Sequence, residues 1–360
     1  MGLLNNINNQ LDQPAQRHPM RWWHIPLLLI LIAGTILAYC SAHRPTDKAS
    51  DYIQNEGSVF GTIYHITYRH GSDMQEEIDN VLLQVDRSLS PFNDQSIISA
   101  INNNIDVAVD RHFSEVFALA TEVNRNTDGA FDITVAPLVN AWGFGFKNKE
   151  NVTDSLINSI LAHVGMHKVS LEGNRLIKID SLTMLDCSAI AKGYGVDAVG
   201  LYLESKGIRD YMVEIGGEVR LRGRNSKGQA WNIGIMKPID DPTGQQTELE
   251  QILSITDKAM ATSGNYRNFY EENGKKYAHT IDPHTGHPVH HNLLSATVIT
   301  DDCATADAYA TSFMVMGLEK AKELLKSHPE LQAYLIYNDT DGNIRNWTTS
   351  GFNAFIKETK

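Results

Sequence analysis

The sequence contains few cysteines and has no excess of basic residues. Only three cysteines occur among 360 residues, and two of them, Cys187 and Cys303, lie in the body of the chain. Two are too few for a disulfide framework, and no CxxC pair is present to bind zinc, so we expect small buried thiols. Lys and Arg number 31 against 43 Asp and Glu, for a net charge of -12. This balance argues against a nucleic-acid binder, and local groups must hold any anionic ligand.

The glycine-rich nucleotide motifs are absent as well. Neither GxGxxG nor GxxxxGK[ST] occurs, which excludes the usual dinucleotide fingerprint and the P-loop. The chain also has no internal repeat and no low-complexity tract. What remains is a long chain able to bury a full core, as one large domain or two modest ones.

Apolar residues follow helical and strand periods without a regular βαβ order. Helical spacing predicts helices over 73–89, 113–127, 152–165, 189–207 and, as one buried helix, 304–325. Alternation predicts strands over 58–68, 211–215, 218–223, 231–236, 251–256, 276–281, 293–300 and 333–338, with a hairpin over 168–181. This order predicts an α+β fold of mixed, largely antiparallel sheets with packed helices.

The N-terminus has the composition of a targeting or anchoring segment. Residues 25–40 carry no charge, follow Arg17 and Arg21, and end in LAYC. We expect residues 1–40 to be a signal or membrane anchor, lipidated at Cys40 or left uncleaved, with the body on the extracytoplasmic, periplasmic side. Residues 41–56 are polar and are predicted to be a tether before the domain at 57–360.

Lys192 lies at the predicted start of a helix, where the helix dipole disfavours a cation. Its position is consistent with a nearby carboxylate or a bound phosphate, and equally with a solvated surface lysine. Asp307 and Thr311, four residues apart, would lie on one side of their helix and offer hard oxygen ligands for Mg²⁺ or Ca²⁺. Alternatively, Asp307 complements the helix N-terminus and Thr311 bonds the preceding turn.

A histidine-rich tract, HTIDPHTGHPVHH, begins at His279. Such tracts can bind transition metals, which keeps a metal carrier as one hypothesis. The DPHTGHP core is typical of a turn, however, so its imidazoles need not converge. His279, just ahead of the turn, is the better candidate for a general base.

Seven segments extend over the body from about residue 57: FGTIYHITY, SPFNDQSIISAIN, TDGAFDITVAPLVNAWGFG, DCSAIAKGYGVD, EIGGEVRLRG, ATSGNYRNFYEENGKKYAHTIDPHTGHPV and TADAYATSFMVMG. Together they resemble the ApbE family of FAD:protein FMN transferases. The resemblance implies a T-fold-related α+β enzyme that binds FAD with Mg²⁺ and transfers FMN to a Thr or Ser hydroxyl of a target protein, releasing AMP. Targets would include subunits of membrane redox complexes.

The resemblance also implies roles for individual residues. Metal ligands would be Asp307, Thr311 and the backbone carbonyl of Ala189, and His279 and Asp282 would flank the reacting phosphate. The FAD contacts would be Phe60, Phe92, Ala130, Phe131, Asp132, Asp186, Lys192 and Ile281. Phe60 and Phe92 replace an expected Met and Tyr, which keeps apolar packing against the flavin but loses a phenolic hydrogen bond. Glu218 likewise stands where Asp or Asn is common.

Two alternatives fit the same segments. An FAD pyrophosphatase would use water in place of the protein hydroxyl and yield free FMN and AMP. A non-catalytic FAD-binding lipoprotein would keep the flavin contacts but would have no use for Asp307 and Thr311.

Overall fold

The computed structural model describes residues 52–147, 150–239, 248–265, 269–272 and 275–357. The predicted anchor at 1–40 lies outside these residues. Within them, no helix is both long and apolar enough to cross a membrane. Residues 51–360 group into one unit, to which the following description refers.

Fourteen strands are found in the described part of the chain. They are β1 (Tyr52–Val59), β2 (Thr62–Arg69), β3 (Val169–Glu172), β4 (Arg175–Lys178), β5 (Tyr211–Ile215), β6 (Glu218–Arg222), β7 (Trp231–Met236), β8 (Leu249–Ile255), β9 (Lys258–Gly264), β10 (Phe269–Glu272), β11 (Lys275–Ala278), β12 (Leu293–Thr300), β13 (Gln332–Asn338) and β14 (Ile344–Thr348). Eight form one sheet in the order β1-β2-β5-β6-β9-β12-β13-β14. Every neighbouring pair in it is antiparallel, which confirms the predicted α+β class.

Eight α-helices accompany these strands in the same residues. They are α1 (Gln75–Leu89), α2 (Ile97–Asn102), α3 (Arg111–Asn126), α4 (Ala136–Ala141), α5 (Asp154–Leu161), α6 (Ala191–Ser205), α7 (Cys303–Met316) and α8 (Leu318–Ser327). The pairs β3-β4, β7-β8 and β10-β11 form separate two-stranded hairpins.

Helix α7 lies at the centre of the core, and α6 packs closely against it. Most residues of α7 are buried, so it is apolar on nearly all sides rather than amphipathic. The contact with α6 requires a glycine, because a Cβ at Gly193 would lie 2.4 Å from the carbonyl oxygen of Cys303 and 2.8 Å from the Cβ of Asp307. The two helices can therefore bring Lys192 and Asp307 close together.

Two predicted elements are each divided at a residue with positive φ. The predicted helix 304–325 is two helices, because Gly317 has a φ of 76° and ends α7. The predicted strand 58–68 is the β1–β2 hairpin, which turns at Phe60 and Gly61 with φ of 52° and 74°. Strand β1 also begins at Tyr52, so residues 52–56 of the predicted tether are paired in the sheet.

Candidate active site

Asp307 is the most deeply buried acidic residue of the site, with 2% of its surface exposed. The backbone N–H of Gly193, in the first turn of α6, donates a hydrogen bond of 3.0 Å to its Oδ2. Burial raises the pKa of Asp307, an effect that the nearby Lys192 opposes. The carboxylate is thus removed from water and has one short contact to the backbone.

Lys192 lies between two carboxylates. Its Nζ is 2.8 Å from Oε1 of Glu218 and 3.9 Å from Oδ1 of Asp307. Burial opposes the charged form of Lys192, but the two carboxylates raise its pKa overall, so it is an ammonium at neutral pH. With 31% of its side-chain surface exposed, Lys192 is nevertheless paired with carboxylates, which favours the carboxylate interpretation over that of a solvated surface lysine.

Glu218, the first residue of β6, has only one of its carboxylate oxygens paired. Its side chain is buried, and no donor among the described residues lies within hydrogen-bond distance of Oε2. Burial raises the pKa of Glu218 to about 7, against the opposing effect of Lys192. With both acids ionised the cluster has two negative charges and one positive charge, so a further cation would be stabilised here.

Thr311 follows Asp307 by one turn of α7 and faces β9. Its Oγ1 lies 3.0 Å from the Oγ of Ser263. No strand is predicted from the sequence at β9, so Ser263 is not among the predicted site residues. The hydroxyl of Thr311 contacts Ser263, whereas the alternative considered from the sequence was a hydrogen bond to the preceding turn of its own helix.

A cavity of about 640 Å³ brings most of the predicted site residues together. Those in its wall are Ala130, Phe131, Asp132, Asp186, Ala189, Lys192, His279, Ile281, Asp307 and Thr311. The residues come from the loop before α4, the loop before α6 and the first turn of α6, the turn after β11, and α7. The predicted FAD and metal contacts thus converge although they lie more than 170 residues apart in the sequence.

Asp132 and Asp186 organise the loops of this cavity. Oδ1 of Asp132 accepts hydrogen bonds from the N–H (2.7 Å) and hydroxyl (2.6 Å) of Thr134, and burial raises the pKa of Asp132. Asp186 accepts from the N–H of Ser188 at 2.8 Å and donates its own N–H to the carbonyl of Ile133 at 2.7 Å. These bonds join the two loops and fix the backbone that borders the cavity.

An adjoining cavity of about 820 Å³ contains the two predicted aromatic contacts, Phe60 and Phe92, and shares Lys192 and Phe144 with the first. Phe92 is 64% exposed, with its ring edge-on to Phe146 at 6.2 Å between centroids. An exposed aromatic ring at the mouth of an apolar cavity suits a planar aromatic ligand.

His279 and Asp282 are close in sequence but have different surroundings. His279 lies in the wall of the 640 Å³ cavity, with its ring edge-on to Phe144 at 6.4 Å. Asp282 instead begins the turn after it, where it accepts hydrogen bonds from the N–H of His284 at 2.9 Å and the hydroxyl of Thr285 at 3.2 Å. Asp282 lines a neighbouring cavity, while Ile281 and Pro283 on either side of it line the 640 Å³ cavity.

The other histidines of the tract contact separate partners. His284 Nε2 lies 2.9 Å from the carbonyl oxygen of Asp128, and His291 Nε2 lies 2.8 Å from that of Met314. Across the described ranges, no three His, Cys, Asp or Glu side chains are grouped so as to hold a metal. His284 and His291 thus contact carbonyl oxygens of different segments.

The oxygen atoms around Asp307 suit a hard cation. A buried carboxylate, the hydroxyl of Thr311 and the backbone at Ala189 border one cavity, and no thiolate or imidazole cluster competes in the described residues. Mg²⁺ is commonly held by one or two carboxylates and completes its shell with water and phosphate oxygens. When Asp307 and Glu218 are both ionised the cluster also has an excess negative charge, and this set of donors fits Mg²⁺.

Comparisons with known proteins point to one family. A model of the ApbE family matches residues 60–335. The FAD:protein FMN transferase of Vibrio cholerae is 37% identical over 350 residues, covering 94% of this chain and 100% of that protein. Its counterpart in Haemophilus influenzae is 36% identical and covers 92% and 98%.

Solved structures have the same fold. Flavin Transferase ApbE from Vibrio cholerae matches with a TM-score of 0.77 and 38% identity, over 84% of this chain and 99% of that one. The ApbE protein of Thermotoga maritima matches with a TM-score of 0.74 and 26% identity, over 85% and 100%. The extent of the family model and the identity to full-length relatives show that the chain belongs to the ApbE family.

Proposed function

We propose that the protein is an Mg²⁺-dependent FAD:protein FMN transferase, which transfers the FMN part of FAD to a Thr or Ser hydroxyl of a target protein and releases AMP. The observation that carries the proposal is the meeting of Lys192, Asp307, Thr311 and His279 at one cavity wall. Relatives named for this activity support it, since they match nearly their whole length.

FAD is a suitable substrate for the two adjoining cavities. A flavin ring needs an apolar, aromatic-lined space, which Phe60 and Phe92 supply. The adenosine end needs a second space with backbone donors and acceptors, which the loops at 130–132 and 186–189 supply. Lys192 borders both cavities, so it is suited to the pyrophosphate that joins the two halves.

We propose Asp307, Thr311 and the carbonyl of Ala189 as ligands of Mg²⁺, which when bound neutralises phosphate charge. Lys192 provides a fixed positive charge beside the same phosphates, and Glu218 holds its Nζ in place at 2.8 Å. Repulsion between the pyrophosphate and an incoming oxygen is the main obstacle to this reaction. A fixed cation reduces this repulsion, and because it is already in position, the surrounding groups need not reorganise during the reaction.

The proposed reaction is a substitution at the phosphorus of the FMN phosphate. The oxygen of the target hydroxyl forms a new ester bond to this phosphorus, and the bond from the phosphorus to the bridging oxygen breaks. AMP leaves with the bridging oxygen and its electron pair, while His279 accepts the proton of the hydroxyl. We assign Asp282 no proton transfer in this step, since its carboxylate accepts hydrogen bonds within its own turn, beside His279.

A fluorescence assay tests the proposal. The protein is incubated with FAD, Mg²⁺ and a membrane redox subunit produced without its covalent flavin, and the mixture is separated on a denaturing gel. Flavin fluorescence on the subunit is the expected result. Free FMN and AMP without a labelled subunit would instead identify an FAD pyrophosphatase, and FAD binding with no turnover would identify a carrier.

We also propose that the enzyme acts on the extracytoplasmic side of a bacterial membrane, tethered by residues 1–40. The uncharged segment 25–40 after Arg17 and Arg21 supports this placement. Mass spectrometry of the membrane-extracted protein tests it: a lipid-modified Cys40 at the N-terminus or an intact segment 1–40 is expected. A soluble chain cleaved after residue 40 would contradict the tether.

A further inference from the structure

A third cavity, which we call the β7 groove, also borders Lys192. It has a volume of about 870 Å³, shares Lys192, Ser263 and His279 with the 640 Å³ cavity, and shares Phe60 and Lys192 with the 820 Å³ cavity. Because His279 and Lys192 line both the groove and the 640 Å³ cavity, a group in the groove lies next to the proposed position of the FAD phosphates.

Strand β7 borders this groove with its edge. Five consecutive residues, 232–236, line the cavity. Successive side chains of a strand point to opposite faces, so a run of five lining residues means that the backbone itself borders the groove. In the described part of the chain, β7 pairs only with β8, so one edge of β7 has no strand partner there. The other edge of β8 forms a single bridge, between Leu253 and Ile356.

A glycine turn also lines the groove. Gly216 and Gly217 form the turn between β5 and β6, with φ of 63° and 107°. A Cβ at Gly217 would have no atom within 4 Å, so it faces open space. A groove bordered by an open strand edge and a glycine turn suits an extended backbone.

We infer that the β7 groove is the docking site for the acceptor segment of the target protein, which binds as an added strand beside β7. The inference rests on the proposed FMN transfer, and it assigns the place from which the acceptor hydroxyl approaches. Extended peptides commonly bind in this way, because main-chain hydrogen bonds to an open strand edge give affinity without requiring a particular sequence. The inner end of the groove, at Lys192 and His279, is where the hydroxyl must arrive.

A steric block tests the inference. Asn232 is exposed and lines the groove, so Asn232→Trp fills it, and Ile344→Trp, at an exposed position of β14 outside the groove, is the matched control. With a flavin-free redox subunit as acceptor, Asn232→Trp is expected to raise the KM for the subunit at least about tenfold. The Kd for FAD should stay unchanged, and Ile344→Trp should resemble the wild type.

Hydrogen-deuterium exchange gives a second measurement that does not depend on a variant. Adding the acceptor subunit to the FAD-loaded enzyme should protect the amides of residues 232–236. An unchanged KM in a folded Asn232→Trp, or unprotected β7 amides, would overturn the docking site. Loss of FAD affinity in the same variant would overturn it as well, by making the groove part of the FAD site. A wild-type enzyme that labels no acceptor would instead overturn the proposed function and the inference with it.

Discussion

Replacing Asp197 should destabilise the protein far more than an ordinary helix cap would. Asp197 lies on α6 with 6% of its surface exposed, and it accepts hydrogen bonds from the first two N–H groups of α7, those of Cys303 (2.9 Å) and Ala304 (2.8 Å). Arg220 of β6 donates a third at 2.7 Å. One carboxylate thus joins the three elements that carry Lys192, Asp307 and Glu218.

The size of the effect follows from these contacts. Asp197→Ala removes the short ion pair of Arg220, which keeps only a neutral partner, Tyr211 at 3.0 Å, and a longer contact to Glu204 at 3.4 Å. It also removes the acceptor of two helix N–H groups. Breaking a buried ion pair costs about 3–5 kcal/mol, and we expect a loss of unfolding free energy in this range. Asp302→Ala is the matched control: Asp302 caps the same helix through the N–H of Thr305 at 2.8 Å, and its loss should cost about 1 kcal/mol.

Urea unfolding followed by tryptophan fluorescence measures both variants. Burial, with a smaller contribution from Asp302, raises the pKa of Asp197 to about 6, so the experiment belongs at about pH 8, where the carboxylate is ionised. Equal losses in the two variants would refute the reasoning. They would show that Asp197 acts as a simple cap and that the contact to Arg220 adds nothing.

Three further predictions concern the site itself. Asp307→Ala should abolish Mg²⁺-dependent transfer while calorimetry still detects FAD binding, because the flavin and adenosine contacts lie elsewhere. Gly193→Ala should lower the unfolding free energy by about 1–3 kcal/mol in urea, because its Cβ would overlap the Cys303 carbonyl at 2.4 Å. Because burial raises the pKa of Glu218 to about 7, the folded state binds an extra proton between about pH 4.5 and 7, and stability falls as pH rises through this window. In urea unfolding experiments, the free energy of unfolding of Glu218→Gln relative to that of wild type should increase by about 2 kcal/mol between about pH 5 and pH 8.

Controls for these variants are available in the chain. Gly71→Ala matches Gly193→Ala, since a Cβ there meets no atom within 4 Å. Glu172→Gln, on the exposed side of β3, matches Glu218→Gln. Full transfer activity in Asp307→Ala, a neutral Gly193→Ala, or a pH dependence in Glu218→Gln equal to that of wild type would contradict the assignment concerned.

Elements with a regular apolar period are predicted well from the sequence. Boundaries that depend on the φ angle of a single residue are not. Helices α1, α3 and α6 and strands β5, β7 and β12 lie close to their predicted positions, because their apolar periods are regular. The break at Gly317 was missed because apolar spacing continues through it, while the positive φ that ends α7 leaves no trace in that pattern. Strand β9, KAMATSG, has few large apolar residues, since α7 packs directly on it and needs small side chains there.

Site chemistry was predictable only in part. Spacing could place Asp307 and Thr311 on one side of a helix, but it could not give the depth of Asp307 or its bond to Gly193, which depend on how α6 packs on α7. Glu218 and Ser263 come from β6 and β9, far away in the sequence, so no local pattern could connect them to Lys192 or Thr311. Asp282 shows that closeness in sequence does not give the same surroundings. It lies three positions from His279, yet its carboxylate accepts a hydrogen bond within its own turn.

The central claim is that FAD cleavage is coupled to labelling of a protein, and one measurement tests it most directly. The enzyme is mixed with FAD, Mg²⁺ and a flavin-free redox subunit, and AMP is quantified by chromatography while the subunit is analysed by intact mass. One AMP for each subunit that gains the mass of FMN less one water, on a single Thr or Ser, is the predicted result, and chelation of the metal should stop both. AMP released with free FMN and an unmodified subunit would contradict it.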